Sequence, residues 1–394
     1  MPEPKDNRMR ERLMGELGFL RERSQFRALD SLSGIDLCSN DYLDLAADPR
    51  IKQAVIEAVS RATSVGSTGS RLLSGNSEEW EELESEFAAF AGTEAALYFG
   101  SGYAANIGLL SSVLKPCDIV YSDALNHASL IDGIRLSGAT KIIYPHCDLE
   151  YLERSLRAHA GHAGAKVIVT ESLFSMEGDI APIAGLIRLS KDHETELVID
   201  EAHAIGVYGP QGRGIAAEHG CEREIFATVH TCGKALASAG AFVCGGNTLK
   251  DYLVNRARTF IFSTAMPPYL VHQIQAALAI VREADDQRAH LHKIASSLRA
   301  ALTAGGLGFG ASTTHIVPIL LGTNEMALHV AAQLQASGFA VKAIRPPTVP
   351  PCTSRIRLAL NSRIHAEDVR RLVAEIGIAC KSWRQFSASR AVHA

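Results

Sequence analysis

Asp200, His203 and Lys234 are the residues whose types and spacing point most directly to chemistry. Asp200 ends the apolar run Glu196–Asp200, and an ionised carboxylate at the end of a buried strand is costly unless a cation meets it there. A carboxylate that keeps a ring nitrogen protonated, a nearby imidazole and an amine able to form a Schiff base together suggest pyridoxal phosphate (PLP). The alternative is that Asp200 pairs with an arginine and Lys234 is solvated, because both sequence strings are common.

A glycine-rich turn at residues 100–106 follows a predicted strand and opens a predicted helix, so its backbone N–H groups can hold a phosphate. The same residues match the dinucleotide fingerprint G-x-G-x-x-A, which makes a dehydrogenase the main alternative from another class of enzyme. A dinucleotide site needs an acid that closes the next strand, whereas Asp118 opens the next predicted strand. The sequence therefore favours a phosphate site, with Tyr103 supplying a ring.

Other polar segments also follow apolar runs, and each can be interpreted either as part of a binding site or as an ordinary structural feature. His127 can stack on a flat cofactor, although a lone histidine in a loop is more often a surface residue. Residues 171–179 are dense in polar groups and are equally typical of a capped loop. Ser263 and Thr264 offer two hydroxyls before a pair of prolines, or simply cap a helix.

Arg355 and Arg357 are predicted to lie on one face of a strand. They are either a bidentate clamp for a carboxylate or part of a charged edge strand.

The composition excludes several classes of protein. With 394 residues, 47% hydrophobic and 21% charged, the chain is expected to form two or three domains. The formal net charge of −4 gives no basic field for nucleic acid, and no apolar run approaches the ~18 residues that cross a bilayer. The charged N-terminus lacks the apolar core of a secretion signal. We therefore expect a cytoplasmic α/β protein without nucleic-acid or membrane partners.

The eight cysteines contain no C-x-x-C pair. In a chain of this length the pattern predicts reduced packing thiols rather than a disulfide framework or a metal site.

Seven short apolar runs alternate with helical patterns in the first part of the chain and predict a mostly parallel sheet covered on both faces. The predicted strands are residues 96–99, 118–122, 141–144, 166–170, 196–200, 227–231 and 241–245. Helices are predicted at 7–27, 51–62, 78–91, 268–282 and 286–304. A smaller C-terminal α/β part follows, with strands at 315–321, 340–344 and 356–360, helices at 326–337 and 366–376, and a tail without pattern at 387–394.

Polar candidates fall at the carboxyl ends of five of these strands, where ligands bind in open parallel sheets. The motifs, taken together, resemble the α-oxoamine synthases, PLP enzymes of aminotransferase fold type I. The resemblance covers residues 21–369 and rests on SNDYL at 39–43, GSGYAAN at 100–106, NHASL at 126–130, ESLFSMEGD at 171–179, DEAH at 200–203, TCGK at 231–234, FSTAMPP at 262–268 and IRPPTVP at 344–350.

The resemblance implies a role for each matching residue. Lys234 would hold PLP as a Schiff base, Asp200 would pair with the pyridine nitrogen, and His127 would stack on the ring. His203 and Ser175 would hydrogen-bond the phenolic oxygen. The phosphate would be held by Gly102, Tyr103, Thr231 and, from a neighbouring subunit, Ser263 or Thr264; the amino-acid carboxylate by Asn40 and Arg357; and the acyl substrate by Arg21, Arg345 and Thr348.

The resemblance also implies a homodimer and three parts: an N-terminal helical arm at 1–45, a large PLP-binding domain at 46–283 and a small domain at 284–394. Residues 344–350 most resemble the branch that condenses L-alanine with a pimeloyl thioester, of coenzyme A (pimeloyl-CoA) or of acyl carrier protein, in biotin synthesis. Branches that make 5-aminolevulinate or 2-amino-3-oxobutyrate differ there. Trp80 stands where the family usually has a histidine, which leaves the local packing open.

Overall fold

The computed structural model describes residues 7–392, with side chains described up to residue 385. The chain divides into two compact units. The larger unit comprises Asn40–His292 and Asn361–Arg363, and the smaller comprises Met1–Ser39, Lys293–Leu360 and Ile364–Ala394. The three-part division with boundaries after residues 45 and 283 stays a prediction.

The larger unit is built on a seven-stranded sheet. Its strands, in chain order, are β2 (Ala95–Phe99), β3 (Ile119–Asp123), β4 (Thr140–Tyr144), β5 (Lys166–Glu171), β6 (Glu196–Asp200), β7 (Ala227–Thr231) and β8 (Ala241–Gly245), where β1 (Ile35–Asp36) belongs to the smaller unit. Their spatial order is β2-β8-β7-β6-β5-β3-β4. Four pairings are parallel, and β8 runs antiparallel to both of its neighbours. The mostly parallel sheet predicted from the sequence is confirmed.

Helices cover both faces of this sheet. They are α2 (Pro49–Arg61), α3 (Glu78–Ala91), α4 (Gly102–Val113), α5 (Ala128–Ser137), α6 (Leu149–Ala158), α7 (Ile183–Asp192), α8 (Ile215–Glu218), α9 (Asn247–Arg256), α10 (Arg258–Ile261) and α11 (Tyr269–Arg282), with α1 (Arg8–Glu22) in the smaller unit. One buried cluster includes Phe87, which stacks on Phe242 at 3.8 Å, and the other includes Leu109 and Val229. Strands β2, β3, β7 and β8 are buried along their whole length, as expected where both faces of a sheet are covered, whereas β4 at the sheet edge is mostly exposed.

Local sequence signals explain where these helices begin and end. Asp48 caps α2 through its side chain, and Pro49 occupies the first helical position, where its missing N–H costs nothing. Gly92 and Gly138 end α3 and α5 with φ values of 75° and 74°, a left-handed conformation that glycine adopts without strain.

The smaller unit contains two sheets. Strand β1 pairs in parallel with β10 (Phe339–Ala340), and the order β11-β12-β9 joins β11 (Ala343–Ile344), β12 (Ser354–Ala359) and β9 (Ile316–Gly322). Its remaining helices are α13 (Asn324–Ala336) and α14 (Ala366–Val392), and α12 (Asp285–Ala304) begins in the larger unit.

Two predictions for the C-terminal part were wrong. The expected strand at 340–344 is two separate two-residue strands, β10 and β11, in different sheets. The tail at 387–394 was expected to lack structure, but α14 continues to Val392, because alanine and arginine favour helix and residues 387–392 contain no glycine or proline. The last two residues of that tail lie outside the described part of the chain.

All eight cysteines are free thiols, four of them buried. No helix within residues 7–392 combines the length and the apolar character needed to cross a membrane.

Candidate active site

A cavity of about 320 Å³ in the larger unit collects most of the polar residues predicted from the sequence. It lies where β5, β6 and β7 end and α4 and α5 begin. Predicted site residues that line it are Asn40, Gly102, Tyr103, His127, Asp200, His203, Thr231 and Lys234, joined by Asn106, Ser129 and Glu171.

Asp200 is the last residue of β6 and is 5% exposed. Its Oδ2 accepts a hydrogen bond from Asn106 Nδ2 at 2.7 Å, and its Oδ1 accepts one from the Ala202 backbone N–H at 2.8 Å. Both donors are neutral, so they orient the carboxylate without cancelling its charge. A buried carboxylate in this position favours a cationic group in the cavity.

Lys234 lies in the connection between β7 and β8, which is closed by a hydrogen bond from the Cys232 N–H to the Gly240 carbonyl at 2.9 Å. Its Nζ is 2.8 Å from His203 Nε2. His203 Nδ1 is 2.5 Å from the hydroxyl of Tyr42, which donates to Asn40 Oδ1 at 3.0 Å. Hydrogen bonds thus connect the candidate Schiff-base lysine with the asparagine predicted to bind the amino acid.

His127 precedes α5 and caps it through its own ring. The backbone N–H of Ser129 donates to His127 Nδ1 at 3.2 Å, so Nδ1 is an acceptor and the proton of the neutral ring is on Nε2. Partial desolvation in the cavity wall lowers the pKa of His127, an effect that the charge of Asp200 opposes. The ring is therefore a neutral Nε2–H donor at neutral pH.

Glu171 fixes the position of His127. This carboxyl group, at the end of β5, is 3% exposed and accepts the backbone N–H of His127 at 2.7 Å. Burial raises the pKa of Glu171 well above its usual value, and the charge of Asp200 raises it further.

The start of α4 is suited to a phosphate. Gly102 and Tyr103 are its first two residues, whose N–H groups have no acceptor within a helix. A Cβ on Gly102 would lie 2.6 Å from Thr231 Cγ2, so only glycine leaves the approach to both residues open. Together with the buried carboxylate and the amine, this donor set fits the phosphate, ring nitrogen and aldehyde of PLP.

Three predicted cofactor residues are not among those that line this cavity. Ser175 is half-buried in the loop after β5. Ser263 and Thr264 line a second cavity, of about 270 Å³, together with Arg71 and Trp80. Trp80 is 1% exposed and packs on Tyr98 with ring centroids 4.5 Å apart, so the substitution at this family position gives a packed aromatic pair.

The predicted substrate residues of the smaller unit have local partners. Arg21 in α1 lies 4.1 Å from the ring centroid of Phe26. Arg345 donates to the carbonyl of Phe26 at 3.3 Å, and Thr348 accepts from Arg27 at 3.2 Å.

Arg357 is 8% exposed and Arg355 is 5% exposed. Both lie on β12, the middle strand of its sheet, so the interpretation as a charged edge strand is wrong.

The dehydrogenase alternative fails on topology. In a dinucleotide-binding unit the glycine turn joins two strands of one βαβ unit, but β2 pairs with β8, and β3 lies at the far side of the sheet. The argument from Asp118 was wrong, because β3 begins one residue later and ends in an acid, Asp123. Asp123 is 2% exposed; its Oδ1 contacts His146 Nδ1 and accepts from the backbone N–H of Leu125, and its Oδ2 accepts from the backbone N–H of Cys147, so both oxygens are engaged inside the protein.

The family model for aminotransferase class I and II matches residues 33–376. The chain belongs to this family. Within aminotransferase class I and II, it is 45% identical over 354 residues to an 8-amino-7-oxononanoate synthase of Burkholderia mallei, covering 88% of this chain and 89% of that protein.

Two solved structures of related enzymes share the fold. The 8-amino-7-oxononanoate synthase of Francisella tularensis has a TM-score of 0.78 at 28% identity, over 89% of this chain and 99% of its own. A serine palmitoyltransferase of S. paucimobilis with a bound PLP–myriocin aldimine has a TM-score of 0.87 at 26% identity, over 96% and 99%. The resemblance to the α-oxoamine synthases and the fold type I class are confirmed.

Sequence reasoning assigned no role to Tyr42, Asn106, Ser129 or Glu171 in the site. Each lies within a motif that had been singled out, and Glu171 directly follows the predicted strand 166–170 and ends the observed β5. The sequence signal that could have identified Glu171 as a site residue was its position at the carboxyl end of a strand. Tyr42 and Asn106 lie in a loop and a helix, whose facing residues depend on the packing.

Proposed function

We propose that this protein condenses L-alanine with a pimeloyl thioester, with loss of carbon dioxide, to form 8-amino-7-oxononanoate for biotin synthesis. The observation that carries the proposal is one cavity lined by Lys234, Asp200 and His127 at the ends of the parallel strands. The Burkholderia relative, named for this product, supports the choice of reaction.

The cofactor of the proposed reaction is PLP, which supplies an electron sink for a carbanion at the amino-acid Cα. Lys234 would hold it covalently, Asp200 would pair with its ring nitrogen, and His127 would lie over its ring. Gly102, Tyr103 and Thr231 would bind its phosphate. Roles for Ser175 and His203 at the phenolic oxygen, and for Ser263 or Thr264 of a second subunit at the phosphate, stay part of this proposal.

Lys234 would move the first proton. As a free amine it takes the Cα proton of alanine, and the contact of 2.8 Å between Nζ and His203 Nε2 helps to hold the amine in the cavity. Asn40 and Arg357 would grip the alanine carboxylate and so hold the Cα–H bond in the orientation needed for its removal.

His127 would act on the second substrate. Its Nε2–H can donate to the thioester oxygen while the alanine carbon attacks the carbonyl and the thiol leaves. Loss of carbon dioxide from the resulting β-keto acid and protonation at Cα complete the product. Arg21, Arg345 and Thr348 would bind the acyl side, with Arg21 as the partner of the distal carboxylate.

The carrier of the pimeloyl group, the homodimer and the cytoplasmic location stay predictions. Another α-oxoamine synthase activity, of the glycine C-acetyltransferase or 5-aminolevulinate synthase type, is the alternative within the family.

Product analysis by mass spectrometry tests the proposal. The holoenzyme is mixed with L-alanine, glycine or L-serine and with pimeloyl-CoA, pimeloyl-acyl carrier protein, acetyl-CoA, succinyl-CoA or palmitoyl-CoA. We expect 8-amino-7-oxononanoate from alanine and a pimeloyl thioester at the highest kcat/KM. A higher kcat/KM for any other pair would replace the proposed substrates.

A further inference from the structure

His146 does not line the cavity of the candidate site, yet its ring joins two loops that follow neighbouring strands, β3 and β5. Its Nδ1 is 2.9 Å from Asp123 Oδ1, and its Nε2 is 2.8 Å from Asp179 Oδ2. Partial burial alone lowers the pKa of His146, but hydrogen bonds to these two carboxylates raise it to about 12. The ring is therefore an imidazolium that donates to a carboxylate from each nitrogen.

The side chain of Asp123 is fixed by the backbone around it. Asp123 ends β3; its Oδ1 also accepts from the N–H of Leu125 at 2.8 Å, and its Oδ2 accepts from the N–H of Cys147 at 2.9 Å. Its carbonyl accepts from the N–H of Asn126 at 3.3 Å, and the next residue is His127. The turn that leads into the proposed ring-stacking histidine therefore provides a fixed acceptor for the imidazolium.

Asp179 lies at one end of the turn that carries Ser175. The backbone N–H of Phe174 donates to the carbonyl of Asp179 at 3.0 Å and closes residues 174–179 into this turn (the Ser175 turn). His146 contacts both ends of the Ser175 turn, because its ring also meets the Phe174 ring edge-on with the ring centroids 4.3 Å apart. One side chain thus connects the Ser175 turn with the end of β3.

We propose that His146 is a positioning residue that anchors the Ser175 turn to the turn leading into His127, and so holds Ser175 in a fixed place beside PLP. This inference rests on the proposed function, which gives Ser175 the phenolic oxygen of PLP and His127 its ring. Ser175 lies in a turn rather than in a helix or a strand, so the position of its hydroxyl depends on contacts such as those of His146.

Hydrogen–deuterium exchange of the full-length, cofactor-free protein, followed by mass spectrometry, tests the anchor. Asp179→Leu keeps the size of the side chain and removes both oxygens. We expect backbone exchange in the Ser175 turn to be at least ~10-fold faster than in the wild type, as for the loss of a charged hydrogen bond. Exchange at residues 124–128 should not change, because Asp123 keeps its backbone donors. Equal acceleration in both segments would indicate general destabilisation and would overturn the proposal.

Asp179→Asn is the matched control. Its amide nitrogen can donate to Nε2 of a neutral His146, while its oxygen takes the place of the buried Asp179 Oδ1, which has no hydrogen-bond partner in the described part of the chain. Exchange in the Ser175 turn should therefore stay close to that of the wild type.

His146→Phe tests the anchor from its other end. This variant keeps a ring against Phe174 and removes both ring nitrogens. It should accelerate exchange in the Ser175 turn as Asp179→Leu does. Exchange as slow as in the wild type, in His146→Phe or in Asp179→Leu, would overturn the proposal.

The absorbance of bound PLP, without substrate, shows whether the anchor acts on the cofactor. A hydroxyl that donates to the phenolic oxygen stabilises its negative charge. Ser175→Ala should therefore raise the midpoint of the pH titration of bound PLP by about 0.5–1 pH unit. Asp179→Leu should shift the midpoint in the same direction and should have no further effect in the Ser175→Ala background.

The two measurements separate this inference from the proposed function. An unchanged midpoint in Ser175→Ala would reject the proposed contact between Ser175 and PLP, whereas the exchange data would still decide whether His146 anchors the turn. A shift in Ser175→Ala without one in Asp179→Leu would overturn the positioning role of His146.

Discussion

Asn106 and Asp200 are joined by a hydrogen bond of 2.7 Å between the amide nitrogen of one and Oδ2 of the other. Asn106 lies in α4, one turn beyond Gly102, which begins the helix. One helix therefore presents backbone N–H groups toward the proposed phosphate site and orients the carboxylate proposed for the ring nitrogen. Helix α4 therefore positions the groups proposed to bind both ends of the flat cofactor.

Asp200→Asn is expected to lower kcat by roughly 10²–10³-fold while PLP still binds. The neutral amide cannot keep the ring nitrogen protonated, so the carbanion at Cα loses its stabilisation. Stopped-flow absorbance with alanine and steady-state kinetics measure both effects. Turnover near that of the wild type would exclude Asp200 from the mechanism.

Gly102→Ala is expected to weaken PLP binding, because the added Cβ would lie 2.6 Å from Thr231 Cγ2. Thr231→Ser removes that methyl group and keeps the hydroxyl. The double variant Gly102→Ala/Thr231→Ser should therefore regain much of the affinity that Gly102→Ala loses. Titration of the cofactor-free proteins with PLP, followed by absorbance, measures all three. No difference between the single and double variants would contradict the contact.

Glu171→Gln should retain PLP binding, whereas Glu171→Ala should weaken it. Burial, followed by the charge of Asp200, raises the pKa of Glu171 well above its usual value near 4.5, so the native group resembles a neutral amide. Either side chain can accept the backbone N–H of His127, but alanine cannot.

The pH dependence of protein stability tests whether Glu171 is neutral in the folded protein. A carboxyl whose pKa is higher in the folded state costs stability as pH rises above its unfolded pKa. The free energy of unfolding of Glu171→Gln relative to wild type should therefore increase from pH 5 to pH 8. A flat difference in urea unfolding would show that Glu171 is charged in the native protein.

His146→Gln should destabilise the protein most at low pH. Partial burial alone lowers the pKa of His146, but hydrogen bonds to Asp123 at 2.9 Å and Asp179 at 2.8 Å raise it to about 12. The folded state therefore binds this proton more tightly than the unfolded state, and the contribution is complete below about pH 6.5 and declines as pH rises toward 12.

Urea unfolding between pH 6 and 9.5 measures that decline, with His219→Gln at an exposed position as the control. A difference between His146→Gln and wild type that stays constant over this range would show that His146 is neutral.

Arg357→Ala should raise KM for alanine and lower kcat/KM by roughly ten- to two-hundred-fold, as loss of a bidentate charged contact costs about 1.5–3 kcal/mol. Arg357→Lys should recover only part of this, because an ammonium lacks the planar fork. Arg21→Ala should leave alanine binding unchanged and weaken the pimeloyl thioester more than an uncharged chain of equal length. Alanine titrations by absorbance without thioester compare the variants. Equal alanine affinity in Arg357→Ala and wild type would reject the clamp.

The strands of the large sheet were predictable because each is a short run rich in apolar residues, and five of the seven predicted runs share the carboxyl end of the observed strand. The order of the strands in the sheet could not be predicted. Antiparallel β8 lies between β2 and β7, and nothing in residues 241–245 distinguishes an antiparallel strand from a parallel one. Pairing direction depends on how the connecting chain crosses the sheet.

Much of the candidate site was predictable for a related reason. Asp200, His127 and Lys234 follow strand runs, and strand ends of one sheet share an edge. The contribution of Asn106 depends on which face of α4 meets β6, and that of Tyr42 on how a loop folds onto the site. Neither contribution can be predicted from residue spacing alone. In α4, apolar residues occur on nearly every face of the helix, so the spacing does not show which face meets the sheet.

The pairing of Ala95 with Gly245 has a consequence for synthesis of the chain. A nascent chain leaving the ribosome presents β2 long before its partner β8 exists, so residues 95–99 stay without their sheet neighbour until residue 245 has emerged. Lys234 lies just ahead of that strand. The proposed attachment of PLP to Lys234 therefore requires a strand pairing that forms only late in the folding of the chain.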